Sequence, residues 1–116
     1  MCVKQIKIRI PEGEELVSGI EKELHEKGIK SATIVSCLGA FRQFQLITIY
    51  QNSEKIPPEH FARKFDRKAE LMGNGTVSDG KVHLHVVCGT EGGAALAGHL
   101  VSGIVTYFAD VAILVG

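Results

Sequence analysis

The sequence predicts an α+β domain in which a largely antiparallel sheet packs with one main helix, in a single domain over residues 1–116. Three observations carry this expectation. The chain has 116 residues, the length of one ordinary domain and too short for two. Only one stretch repeats its apolar residues at helical spacing. The remaining apolar stretches alternate or run short and β-branched, separated by turn residues in hairpin-like succession.

Ile6, Ile8 and Ile10 alternate with Lys7 and Arg9, the period of a half-buried strand, and Pro11-Glu12-Gly13 closes it. Between Glu14 and Lys27, Leu16, Val17, Ile20 and Leu24 fall on one helical stripe. Glu12, Glu14 and Glu15 stand at the end where the helix dipole favours anions, and Gly28 follows as a left-handed cap. Ala32–Leu38 and Phe44–Gln51 read as two strands, joined through Gly39–Gln43. Asn52–Phe65, with two prolines and mixed charges, reads as a surface loop holding one short helical turn near Pro58–Lys64. Lys68–Ser78 and Lys81–Cys88 form a hairpin across Asp79-Gly80, a type I′ dipeptide. The competing Asn74-Gly75 signal is read as a bulge in the first of these strands. Gly89–Gly93 is a loop, and the last 23 residues supply one or two more buried strands.

Composition narrows the function classes. With 45% hydrophobic residues, the chain has the material for a packed core and is not disordered. Thirteen basic residues balance thirteen acidic ones, so no global field draws in nucleic acid or an anionic membrane. Ala94–Gly116 is apolar enough to test as a membrane span, but Asp110 at mid-membrane would cost about 2.5–3.5 kcal/mol. Its Gly and β-branched content fits buried strands better. Cys2, Cys37 and Cys88 form no Cys-x-x-Cys pair, which excludes a disulfide framework and suits a reducing, cytoplasmic compartment. The opening residues lack the apolar core of a signal peptide.

The chemistry-bearing pattern is His83-Leu-His85 with His99 fourteen residues on. Residues two apart on a strand share a face, so His83 and His85 project together with Cα atoms about 6.5–7 Å apart. Two such imidazoles can hold one metal ion, with His99 as third ligand if its segment lies alongside. Three neutral imidazoles leave one position of a tetrahedral zinc open. The competing reading gives each histidine one hydrogen-bond partner and no metal. Cys88, at an odd offset from His85, faces the other way as a small buried hydrophobe. One basic cluster, Arg63, Lys64, Arg67 and Lys68, is interleaved with aromatics and is a candidate nucleic-acid patch; as a solvated segment it is compensated by Glu59 and Asp66.

The run Glu70-Leu-Met-Gly-Asn-Gly75, then His83-Leu-His85, a Gly-rich turn, Gly98-His99-Leu100 and Gly103 resembles the plants-and-prokaryotes-conserved (PPC) domain. Ser36-Cys-Leu-Gly39-Ala-Phe-Arg42 is similar to that domain's Ser-x-x-Gly-x-x-Arg segment, and the match runs from about Gly13 to Val115. The resemblance implies a homotrimer whose His83, His85 and His99 lie together in a cleft and hold a divalent metal, commonly zinc. Glu70 and Arg42 are then candidates for orienting ligands or substrate. Ala97 stands where many members have a second Gly, and the Gln51–Arg67 connection also departs from the family pattern. Plant relatives carry an AT-hook that this sequence lacks. Three functions follow as expectations: a trimeric metal-binding module open to a small-molecule ligand, a DNA-associated regulator, or a purely structural oligomerisation module.

Overall fold

The computed structural model describes residues 2–51, 53–57 and 59–116. Six strands and one α-helix follow one another as β1 (Lys4–Pro11), α1 (Leu16–Glu26), β2 (Ala32–Ile49), β3 (His60–Phe65), β4 (Ala69–Ser78), β5 (Lys81–Gly89) and β6 (Ala95–Val115). All strand pairings are antiparallel, in the order β1-β6-β5-β4-β2-β3 with an additional β2–β6 pairing. That extra pairing closes β2, β4, β5 and β6 into a ring, leaving β1 and β3 as outer strands.

The ring explains the residue pattern. In β5, Val82, Leu84, Val86 and Cys88 are buried while Lys81, His83, His85 and Val87 are exposed, the alternation of a strand with one face on a core. Ile34, Phe41, Leu71, Val105 and Ile113 fill the same interior. Helix α1 adds Leu16, Ile20 and Leu24 to it, all nearly inaccessible to solvent. The side chain of Glu21 fastens the helix to the start of β5 by accepting from the Val82 backbone N–H at 3.0 Å.

Glu15 is the N-cap. Its carboxylate accepts from the backbone N–H groups of Val17 and Ser18, both at 2.9 Å, and from Gly103 of β6 at 3.0 Å. The cap thus satisfies orphan helix donors and ties the helix to the longest strand. Glu12 and Glu14 lie outside the helix. At the other end Gly28 has φ +68°, as its position after Lys27 predicts. Asp79 and Gly80 also take positive φ, the signature of the expected type I′ turn.

Three expectations need correction. Ala32–Leu38 and Phe44–Ile49 are parts of one 18-residue strand, β2, and Tyr50 and Gln51 lie beyond its end. Gly39 does not end it: a side chain there would strike the Phe108 carbonyl and Ala109 of β6. The expected helical turn is absent, because His60–Phe65 is strand β3 against β2; Pro58 lies outside the described residues. The last 23 residues supply one strand of 21 residues, within the one or two expected. The bulge expected in β4 at Asn74-Gly75 lies in β2 instead, where the register with β4 shifts between Ile34 and Cys37, opposite Gly75 and Gly73. β4 and β5 pair without a register break from Glu70–Gly89 to Ser78–Lys81. Gly73 and Gly75 instead let the two backbones approach closely on the inner face. Among the described residues, no helix is long and apolar enough to cross a membrane.

Candidate metal centre

Burial of Leu84 and Val86 turns His83 and His85 outward on β5. Antiparallel register then sets His99 of β6 directly opposite His85. Next to His99, Gly98 lets β6 lie close to β2 on its other side, since a side chain there would lie 2.8 Å from the Ile47 carbonyl oxygen. The His83 and His99 ring centroids are 4.8 Å apart and those of His85 and His99 5.5 Å, both pairs meeting edge to face. The structure therefore gathers the three histidines from two strands onto one outer face.

His99 is half-buried. Burial first, then the charges that His83, His85 and His60 would carry, hold its imidazole below the ordinary histidine value. At neutral pH His99 is thus uncharged and keeps a lone pair. His60 reaches this neighbourhood through β3: it pairs with Ile49, two residues from Ile47, which pairs with His99. Nothing local in the sequence marks it, because its placement depends on β3 existing as a strand. Among the described residues, no group of three or more His, Cys, Asp or Glu side chains is placed to hold a metal ion. The edge-to-face rings would have to turn about their side-chain torsions to converge, which the exposure of His83 and His85 permits.

Beside His85 runs a groove of about 650 Å³, lined among others by Ser36, Leu38, Met72, Asn74 and Val87. Its rim is apolar and open: Leu38 is 60% exposed, Met72 57%. Arg42 and Glu70 are not brought to the histidines. Arg42 stands 3.6 Å from Glu12. Glu70 lies four residues along β4 from Asn74, the partner of His85, about 13 Å away at strand rise. Cys88 faces the interior, where burial pushes its thiol up to about 11. Cys37 is pushed up to about 12, by burial and then by the Asp110 charge. Both thiols are inert at neutral pH.

The basic cluster is split by the strand it lies on. Arg63 and Lys64 are neighbours on β3 and so face opposite ways, with the Arg63 guanidinium 5.0 Å from the Phe65 ring centroid. Arg67 and Lys68 sit in the β3–β4 connection.

Comparison with known proteins agrees with this architecture. A plant- and prokaryote-conserved protein of Pyrococcus horikoshii is 29% identical, with 97% of this chain and 80% of that one covered at a TM-score of 0.77. A metal-containing protein of Archaeoglobus fulgidus is 31% identical, covering 96% of this chain and 78% of that one at 0.75. A Bacteroides thetaiotaomicron protein, described as a "putative dna binding protein", is 26% identical, covering 94% and 76% at 0.76. No curated protein matches the chain. Residues 2–116 match the Plants and Prokaryotes Conserved (PCC) domain, and the chain belongs to that family.

Proposed function

We propose that the chain is a homotrimeric metal-binding module in which His83, His85 and His99 hold a divalent ion, zinc by the chemistry of an all-imidazole donor set. The observation that carries this reading is the register pairing of His85 with His99, with His83 on the same face. The lowered pKa of His99 supports it, since a ligand imidazole must be neutral. The Archaeoglobus relative, described as metal-containing, points the same way. A bound ion would supply Lewis acidity and an activated water at the outer face. The protein's own part is to set three rings on two hydrogen-bonded strands and to border them with the groove at His85. The exposed Val35, Leu38, Met72 and Val87 form an apolar surface suited to contact between copies.

Elemental analysis of tag-free protein tests this, with His83→Ala and His99→Ala alongside. Near-stoichiometric zinc is expected in the wild type and at least tenfold less in either variant, with sedimentation at three chain masses. No metal in the wild type after zinc is added back would refute the site and leave a structural oligomerisation module. A monomer at micromolar concentration would refute the trimer.

A DNA-associated role is the second reading. It draws on the Bacteroides relative's description and on Arg63, Lys64, Arg67 and Lys68, repeated in a trimer so that avidity adds to weak single contacts. It requires salt-sensitive retention of duplex DNA that is lost when these four are neutralised.

A further inference from the structure

Tyr107 has φ +64°, the left-handed region that glycine adopts freely and a bulky side chain only under strain. It is one of two residues by which β6 outruns β2, since Ala40 pairs with Thr106 but Gly39 with Ala109. The conformation is actively held. One Glu12 carboxylate oxygen accepts from the Tyr107 backbone N–H at 3.2 Å and from the Thr106 hydroxyl at 3.1 Å. Arg42 stands 3.6 Å from the other oxygen. The ring placed in this way is 79% exposed, so packing within the chain does not offset the strain.

The residue borders a cavity of about 320 Å³ whose lining includes Lys68, Glu70, Thr90 and Glu91. Lys68, Thr90 and Glu91 also line a neighbouring cavity of about 560 Å³ together with Arg67. Among the described residues, Arg67, Lys68, Glu70 and Glu91 enter no ion pair. Their charges are therefore available to a ligand. An aromatic face, two cations and two carboxylates match the three parts of one ligand class. A heteroaromatic base stacks on tyrosine, a phosphate takes lysine and arginine, and sugar hydroxyls donate to carboxylates.

We propose that this cavity binds a nucleoside monophosphate, with its base on Tyr107, its phosphate at Arg67 and Lys68, and its ribose hydroxyls on Glu70 and Glu91. The site stands independently of the histidines, on a different stretch of β4 and β6.

The test is a titration of isotope-labelled protein with adenosine monophosphate at low salt, followed by amide chemical shifts. Adenosine and inorganic phosphate form separate arms. Saturable shifts are expected at Lys68, Glu70, Glu91 and Tyr107, with each half-ligand binding at least tenfold more weakly than the whole. Tyr107→Gly is the decisive variant, because glycine suits the positive φ. It should keep its melting temperature and assembly mass yet bind roughly tenfold more weakly, and Lys68→Ala should weaken binding similarly. Absence of saturation in the wild type, unchanged affinity in Tyr107→Gly, or phosphate binding as tightly as the nucleotide would each overturn the proposal. A changed assembly mass in Tyr107→Gly would overturn it too, by assigning the ring to contact between copies.

Discussion

Gly75→Ala is expected to destabilise the fold by about 3 kcal/mol or more, at the upper end of overpacking effects. A β-carbon at this position would overlap the His83 carbonyl oxygen and lie 2.9 Å from the Leu84 Cα. The obstructing atoms are backbone on the neighbouring strand, so no rotamer change relieves them. The β4–β5 ladder would have to part where Gly75 pairs with Leu84, moving His83 with it. Urea denaturation measures the loss, and Gly80→Ala is an instructive contrast. That position has open space around it but φ +74°, so its cost is conformational alone, of order 1 kcal/mol. Equal midpoints for Gly75→Ala and wild type would show that the strands can separate freely, contrary to this account.

Zinc retention is expected to fall steeply between about pH 7 and pH 5, by up to about tenfold per pH unit for each imidazole that must shed a proton to bind. His99 resists this competition longer than an ordinary histidine, because burial and its neighbours already disfavour its charged form. The same shift acts on the metal-free protein with a definite sign. A histidine held lower in the folded state than in the unfolded chain stabilises the fold above its unfolded value of about 6.5. That contribution disappears as the pH falls through the lower folded value. Zinc titrations at several pH values, with urea midpoints of the metal-free wild type and His99→Gln, separate the two effects. Zinc affinity unchanged across this range would argue against imidazole ligation.

What the sequence discloses of this fold is what local patterning encodes. β1, α1, the Asp79-Gly80 turn and the inward face of β5 follow from periodicity and turn chemistry over a few residues. β3 does not, because its residues are exposed or only half-buried, and a strand without a buried face carries no alternation. Gly39 misleads for a related reason: it looks like a terminator, yet its role is to let β6 pass close to β2. The histidine pair on β5 is legible, and its pairing with His99 is a matter of register between strands. The strained Tyr107 is not legible at all, since positive φ at a tyrosine has no sequence signature.

One consequence of the strand order concerns the timing of folding. Among the described residues β1 pairs only with β6, Lys4 opposite Val115, so the earliest strand of this domain waits for its latest. On a ribosome, β1 stays without its strand partner until synthesis passes residue 115. The ring closes only when widely separated segments meet, and such high contact order places folding toward the millisecond-to-second range. Until then Ile8 and Ile10, buried in the finished domain, are available to chaperones or to aggregation.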